Sequence, residues 1–328
     1  MTDTAIAQDA VIQESGGYRF SISNDWAQVP PGMEWAEIGG IAIDDRDRIY
    51  VFARGPQPVM VFERDGSFVT SWGSDIFTHA HGIHFAPDGT LFLTDDFDHT
   101  VRQCTTDGKV LMTLGVPGHA TPFMAGEPFN RCTHTAHAPN GDFYVSDGYN
   151  NARVHKYDPS GRHLLSWGKP GTEPGEFNVP HNITCDADGW VYVADRESHR
   201  VQVFDGNGRY ETQWNNLHRP SGLYMPPGKC PICYIGECGP VMGVNRAWPN
   251  LGPRVSIVDH TGKLLARFGD PAGAGNGPGQ FISPHGIAVD SHGDVYIGEV
   301  SATAWPQLKP DQPVPAPLHS LRKMTRLS

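Results

Sequence analysis

One segment recurs six times along the chain and constrains the fold more than any other feature. Each copy combines a small apolar strand, a turn of the Asp-Gly or Asn-Gly type and an aromatic-rich strand. The copies begin at Gly39, His81, Thr133, His181, Ser221 and His285. Their spacing is typical of propeller blades of about 40 to 50 residues. A four-stranded sheet cannot bury both faces alone, so the copies must pack around a common axis.

The repeat predicts an all-β, six-bladed β-propeller. With 38 Gly and 28 Pro among 328 residues, turns are too frequent for a coiled coil or a helix bundle. The sixth copy is one strand short, and residues 18–26 (YRFSISNDW) supply a strand that closes the ring without free edges. We therefore predict a single domain over residues 16–328, a disordered or extended segment over residues 1–15, and a loop insertion in blade five over residues 225–253.

Charge and cysteine content narrow the partners and the compartment. The formal net charge is -11, and Lys and Arg are scattered, which argues against a nucleic-acid or membrane surface. No apolar run is long enough to span a bilayer, and no secretory signal is visible. Six cysteines are too few for a disulfide scaffold, so we expect a cytoplasmic protein. Cys230, Cys233 and Cys238 have metal-ligand spacing without an obvious fourth ligand, which favours a surface loop over a second zinc site.

Histidine occupies the first position of the innermost strand in alternate blades, at His81, His181 and His285. In a sixfold ring, alternate blades are spaced by thirds around the axis, so these three imidazoles converge. Three histidines with an open fourth position form a common catalytic zinc site. All-imidazole ligation favours zinc over copper or nickel, while iron remains open. The alternative is that each histidine merely caps a strand.

The end of the second strand places Arg54 and Arg196 on the same face, in opposite blades. Two guanidinium groups there predict a small anionic substrate, since arginine grips a carboxylate through two hydrogen bonds. The alternative for Arg196 is a structural ion pair with Asp195 or Glu197. Tyr149 follows the same position in blade three and is a candidate general acid or base, unless its ring packs on a neighbouring blade.

These motifs resemble the peptidyl-α-hydroxyglycine α-amidating lyases, a family of NHL-repeat propellers. The resemblance is carried by residues 52–55 (FARG), 81–83 (HGI), 145–153 (VSDGYNNAR), 177–181 (FNVPH), 193–197 (VADRE) and 283–287 (SPHGI). It implies roles for six residues: zinc ligation by His81, His181 and His285, proton removal by Tyr149, and substrate binding by Arg54 and Arg196.

The resemblance also implies an activity, the cleavage of a carbinolamide C–N bond to give an amide and glyoxylate. Where the family has an Asp that helps bind calcium, this chain has Gly286, so calcium is doubtful. Ser283 and Pro284 replace the usual pocket wall, which makes Ser283 a candidate substrate-binding residue. Asn150 stands where the family has a cysteine, so that disulfide cannot form. We expect a small substrate, such as an N-acyl-α-hydroxyglycine or a ureidoglycolate-like compound.

Two other functions remain open. One is a metal-dependent hydrolase of the lactonase or esterase type, although such propellers typically use Asp, Glu and Asn around calcium. The other is a non-catalytic NHL scaffold that binds a protein or RNA, which has no need for three aligned histidines. The sequence does not predict the oligomeric state.

Overall fold

The structure is a computed structural model that describes residues 10–228 and 232–327. Within these ranges the chain is built almost entirely from β-strands, and no described helix is long and apolar enough to cross a membrane. The strands are β1 Val11–Ser15, β2 Tyr18–Ser23, β3 Glu37–Ile43, β4 Ile49–Arg54, β5 Val59–Phe62, β6 Phe68–Trp72, β7 Ala80–Phe85, β8 Leu91–Asp95, β9 Thr100–Cys104, β10 Val110–Leu114, β11 Cys132–His137, β12 Phe143–Asp147, β13 Arg153–Tyr157, β14 His163–Trp167, β15 Pro180–Cys185, β16 Val191–Asp195, β17 Arg200–Phe204, β18 Tyr210–Trp214, β19 Pro220–Tyr224, β20 Ile232–Glu237, β21 Arg254–Asp259, β22 Leu264–Phe268, β23 Pro284–Val289, β24 Val295–Glu299 and β25 Leu321–Arg326. A short helix, α1, spans Ser301–Leu308.

The strands form six antiparallel sheets, one for each sequence copy. Blades one to five are β3 to β6, β7 to β10, β11 to β14, β15 to β18 and β19 to β22. In the sixth sheet the order is β23, β24, β25, β2 and β1. The innermost strands of neighbouring blades contact one another around the ring. The predicted six-bladed propeller is confirmed.

Ring closure uses more of the N-terminal segment than the sequence predicts. β2 pairs with β25, so the N-terminal strand joins the last blade as expected. Val11–Ser15 then folds back as β1 and pairs with β2. Phe20, fully buried, packs edge-on against Phe268 of blade five. The predicted boundary at residue 16 is therefore wrong, because it divides this hairpin.

The insertion predicted over residues 225–253 also needs correction. It contains β20, the second strand of blade five, so the part outside the repeat is residues 238–253. Blade six has a second long connection, which holds α1. Both connections join a second strand to a third strand and so lie at the end of the propeller where the inner strands begin. Cys230 lies outside the described residues, so the interpretation of the three cysteines as part of a surface loop stays a prediction.

A β-bulge occurs at the same place in every inner strand. In each blade one residue of the first strand is left without a ladder partner, and the pairing resumes after it. A bulge turns a side chain out of the regular alternation and toward a new direction. The six bulged residues are Gly39, His81, Thr133, His181, Ser221 and His285. The candidate metal ligands therefore share one local backbone irregularity.

Further along the channel, away from the bulges, lies a cavity of about 230 Å³ that His84 and His134 help to line. Burial lowers the pKa of His134, and that of the neighbouring His137, to about 4. Burial, and then His137 and His134, hold the pKa of His84 well below its usual range. These histidines are neutral in the folded state at neutral pH, whereas each would take up a proton near pH 6.5 in the unfolded chain.

This difference predicts acid sensitivity of the fold. Because the unfolded state binds more protons, the free energy of unfolding is at its full value above about pH 6.5 and decreases as the pH falls toward about 4. Each of His134 and His137 contributes roughly 3 kcal/mol to that decrease. Urea unfolding across this pH range should show a smaller slope for His137→Leu than for the native chain. The exposed His119 provides the control, and an unchanged slope in His137→Leu would contradict this explanation.

Candidate metal centre and active site

Buried carboxylates hold the loops that lead into the site. The second strand ends in an acidic residue with no solvent exposure in five blades, at Asp95, Asp147, Asp195, Glu237 and Glu299. Each one accepts hydrogen bonds from main-chain N–H groups of the loop that enters its own blade. Charge-assisted bonds of this kind are short and strong. They fix the backbone immediately before the bulge in these five blades.

Each bulged histidine is oriented by the next blade. Nδ1 of His81 donates to the Thr133 carbonyl at 2.7 Å, and Nδ1 of His181 donates to the Ser221 carbonyl at 2.9 Å. Nδ1 of His285 donates to the Gly39 carbonyl at 2.6 Å. All three acceptors belong to bulged residues. Because a carbonyl only accepts, Nδ1 carries the proton and Nε2 presents its lone pair.

The three imidazoles converge as the sequence predicts. Their ligand nitrogens all lie within 4.8 Å of one another. Burial holds the pKa of each ring well below its usual range, and the neighbouring histidines and Arg54 or Arg196 lower it further. Neutral imidazole is the form that binds a metal.

The Tyr149 hydroxyl lies at the same point, 3.0 Å from Nε2 of His81 and 3.0 Å from Nε2 of His181. One phenol proton satisfies only one of these two acceptors. Nε2 of His285 is also buried and has no partner among the described residues. Lone pairs that face one another without protons fit a cation, and three imidazoles fit zinc. These residues can therefore hold a zinc ion, although ligation itself stays a prediction.

The channel does not fit calcium in the same way. Ile41 and Ile83 line the cavity further along the channel, where main-chain oxygens could face such an ion. No acidic side chain is among the described residues that line it, and the imidazole of His134 lies there instead. Calcium prefers six to eight oxygen ligands that include carboxylates. The doubt about calcium is thus supported by the donor set.

Arg54 and Arg196 reach the site from equivalent positions, as the sequence predicts. In each blade the arginine follows the residue that pairs with the one before the bulge, Ala53 in blade one and Asp195 in blade four. Arg54 also pairs across the ladder with Glu37, to which it is joined by a 2.5 Å ion pair. In blade one, the acid of the ion pair, Glu37, lies on the first strand, and the base, Arg54, lies on the second strand.

Arg196 both pairs with an acid and contacts the site. Its Nε donates to Glu197 at 2.8 Å, and its Nη1 lies 3.4 Å from the Tyr149 hydroxyl. Burial alone would lower the pKa of Arg196, but Tyr149 and Glu197 raise it above its usual value. Glu197 also binds Arg219, and the two guanidinium groups overcome burial to lower the pKa of Glu197 to about 2. The alternative ion pair with Glu197 therefore exists, and it orients Arg196 beside Tyr149.

A stacked column that includes Tyr149 was missed by the sequence analysis. Two guanidinium groups lie over the Tyr149 ring, that of Arg131 at 4.5 Å from its centroid and that of Arg196 at 5.3 Å. Arg131 also covers the Phe97 ring at 4.8 Å, and Phe97 stacks on His79 at 3.9 Å. We call these five groups the tyrosine column.

One buried carboxylate ties the outer part of the column together. Asp96 has no solvent exposure and binds both His79, at 2.5 Å, and Arg131, at 2.5 Å. Burial opposes ionisation of Asp96, but His79 and Arg131 lower its pKa below the usual value. The sequence analysis gave no role to Asp96 or to Arg131, which directly precedes β11.

Ser283 and Asn150 occupy supporting positions. Ser283 is buried, and its N–H donates to Glu299 at 2.7 Å. No contact among the described residues joins its side chain to the histidines, so substrate binding by Ser283 stays a prediction. Asn150, which stands where the related lyases have a cysteine, donates from Nδ2 to Oδ1 of Asn130 at 3.1 Å. This bond ties the Tyr149 loop to the segment before β11.

Comparison with known proteins agrees with this architecture. A family model described as NHL repeat matches residues 177–204, within blade four. NHL repeat-containing protein 3 from Mus musculus is 30% identical over 280 aligned residues, which cover 80% of this chain and 76% of that protein. The chain belongs to the NHL-repeat family.

This NHL-repeat protein is also similar to amidating enzymes. It is 29% identical over 289 aligned residues to peptidyl-alpha-hydroxyglycine alpha-amidating lyase 1 from Drosophila melanogaster, which cover 80% of the chain and 51% of the fly protein. It is 28% identical to peptidyl-glycine alpha-amidating monooxygenase B from Xenopus laevis, with 85% of the chain and 34% of the frog protein covered. The NHL-repeat chain thus spans about half or less of these two relatives. The predicted resemblance is confirmed.

Solved structures with lower identity show the same fold. A gluconolactonase from Xanthomonas campestris has a TM-score of 0.62 at 13% identity, covering 97% of this NHL-repeat chain and 95% of its own. Virginiamycin B lyase from Staphylococcus aureus has a TM-score of 0.57 at 12% identity, covering 94% and 100%. A propeller of this kind hosts several chemistries, so function has to be argued from the site.

The convergence of the three histidines predicts metal content directly. Protein purified without added metal should contain about one zinc per chain. His181→Ala should lose most of it, because the remaining two imidazoles leave the tetrahedral set incomplete. Elemental analysis of both proteins measures this, with the exposed His119→Ala as the matched control. Native metal content in folded His181→Ala would exclude His181 as a ligand.

Proposed function

We propose that this NHL-repeat protein is a zinc-dependent lyase that cleaves the C–N bond of a small carbinolamide-type α-hydroxy acid. The products would be an amide and glyoxylate, and the substrate class is N-acyl-α-hydroxyglycines or ureidoglycolate-like compounds. The observation that carries the proposal is the Tyr149 hydroxyl held against two of three converging imidazoles. The similarity to the fly lyase supports it.

Each residue of the site has a separate role in the proposed reaction. A zinc ion bound by the histidines would act as a Lewis acid toward the substrate hydroxyl oxygen and make its proton easier to remove. Tyr149, acting as the phenolate, accepts that proton, and the guanidinium groups of Arg131 and Arg196 lie over its ring. The C–N electrons leave with the nitrogen as the carbonyl of glyoxylate forms. A proton returned to the nitrogen completes the amide, and no water is consumed.

The arginines bind and orient the substrate. Arg54 and Arg196 are each held by a carboxylate through part of the guanidinium group. Their remaining N–H groups suit the substrate carboxylate, which arginine recognises through paired hydrogen bonds. Holding the carboxylate aligns the α-carbon with Tyr149 before the bond breaks. The metal-dependent hydrolase has no comparable support, because a likeness at 13% identity shows the fold alone.

Product analysis tests the activity. Zinc-loaded protein should convert N-benzoyl-α-hydroxyglycine to benzamide and glyoxylate in equal amounts, and ureidoglycolate should be assayed in parallel. Release of a free carboxylic acid would instead indicate a hydrolase. If none of the compounds turns over while zinc is bound, the lyase proposal fails.

Tyr149→Phe separates proton transfer from metal binding. The variant should keep its zinc, because the imidazoles remain, and should lose glyoxylate production by about 100-fold or more, the usual contribution of a general acid or base. Tyr18→Phe, in β2 of blade six, is the matched control. Turnover at the native rate in Tyr149→Phe would remove this residue as the base.

Arg131→Gln tests the tyrosine column. We expect kcat to fall about tenfold, the value of a partly buried cation–π contact, with zinc content and KM nearly unchanged. Arg131→Lys should recover part of the loss, since it restores the charge. Steady-state kinetics measure both variants, with the exposed Arg162→Gln as control. An increase in KM alone would mean that Arg131 binds substrate rather than positions Tyr149.

A further inference from the structure

The two long connections outside the repeat enclose a cavity of about 280 Å³. One wall comes from residues 240–254 of the blade-five insertion. The opposite wall comes from residues 267–274, at the end of blade five, and from Leu308 and Lys309 at the end of α1. We call this cavity the insertion pocket. It lies at the end of the propeller where the histidines are, but none of the candidate metal ligands lines it.

The lining of the insertion pocket is strongly basic. It contains Arg246, Arg254, Arg267 and Lys309 but a single carboxylate, that of Asp270. The chain as a whole has 25 basic and 36 acidic residues. A concentration of four cations around one cavity therefore runs against the overall charge.

Two of these charges are already offset. Arg254 donates to both carboxylate oxygens of the buried Glu237, at 2.9 and 2.7 Å. Asp270, held by Gln280 at 2.8 Å, lies near Lys309, and both interactions lower the pKa of Asp270, so it stays ionised. Glu237 and Asp270 together thus account for two of the four positive charges.

Neither Arg246 nor Arg267 forms an ion pair with a carboxylate among the described residues. Arg267 hydrogen-bonds neutral groups there, the Ser256 hydroxyl at 3.1 Å and the Asn216 carbonyl. Nε of Arg246 is buried and has no hydrogen-bond partner among the described residues. A buried donor on a charged group costs free energy until an acceptor reaches it. Both arginines line the same cavity, so one ligand can serve both.

We propose that the insertion pocket binds the oxyanion group, phosphate or carboxylate, of a small molecule. Planar guanidinium groups match the oxygens of such anions through paired charge-assisted hydrogen bonds. Trp248 lines the pocket with 68% of its surface exposed, which offers an aromatic face to the rest of the ligand.

The base of the insertion is tied to the candidate active site. Nη1 of Arg219 donates to the Gly239 carbonyl at 3.1 Å, and its other N–H groups bind Glu197. Glu197 in turn orients Arg196 beside Tyr149. The anion in the pocket is therefore either a separate small ligand or the distal charged end of the substrate itself.

Binding of inorganic phosphate tests the site on the full-length protein. At constant ionic strength, phosphate should change the tryptophan fluorescence saturably, and Trp248→Phe should abolish that signal. Arg246→Gln and Arg267→Gln should each weaken binding about tenfold or more, the loss expected for one charge-assisted hydrogen bond. Arg162→Gln, exposed in blade three, should bind as the native protein does. Because Arg267 is partly buried, thermal unfolding checks its fold, and Arg246→Gln gives an independent measurement.

Two results would overturn the proposal: the same fluorescence change with sodium chloride at equal ionic strength, or native affinity in Arg246→Gln. The source of the anion is decided by turnover. If phosphate competes with substrate, the pocket holds the distal end of the substrate; if it binds without affecting KM, the ligand is separate. Phosphate binding should persist in Tyr149→Phe, so that failure of the lyase proposal and failure of this one are distinguishable.

Discussion

The site depends on five buried carboxylates at the ends of second strands, Asp95, Asp147, Asp195, Glu237 and Glu299. Each binds main-chain N–H groups of the loop that enters its own blade, and a buried acceptor left without them would cost several kcal/mol. Hydrogen bonds to a carboxylate are directional, so they hold the entering backbone in place. The bulge that follows is built on that fixed backbone. These buried carboxylates therefore hold in place the backbone that leads to the centre of the ring.

The bulges convert sixfold architecture into a threefold site. Every blade has one bulged residue in its inner strand, yet only alternate blades carry an imidazole there. The blades between contribute Gly39, Thr133 and Ser221, whose carbonyls accept the Nδ1 protons of the histidines. Each histidine is thus oriented by a neighbour too small to compete for the same space. This arrangement selects one tautomer for all three rings and directs their lone pairs inward.

Three arginines bring positive charge close to this centre, and each is held in an ion pair. Arg54, Arg131 and Arg196 each have a carboxylate partner, which fixes the guanidinium without removing its field at Tyr149 and the histidines. Under the proposed function, these fields are in place before an anionic substrate binds. The insertion pocket differs in this respect, since two of its arginines have no acidic partner within residues 10–228 and 232–327. Arginine therefore serves two purposes at this end of the propeller, one beside the histidines and one in the insertion pocket.

The sequence by itself determined the six blades, the closure of the ring by the N-terminal strand and the alternate placement of the histidines. These features follow from periodicity, which a chain carries locally in every copy. Tertiary structure decided what depends on residues far apart: the pairing of Arg54 with Glu37, the Nδ1 bonds between blades and the contact of Arg131 with Tyr149. The sequence missed Arg131, because the contacts of a residue just before a blade are set by partners that no single copy contains. Strand β1 and helix α1 were missed for the same reason, since both lie outside the repeat and are stabilised by the blades against which they fold.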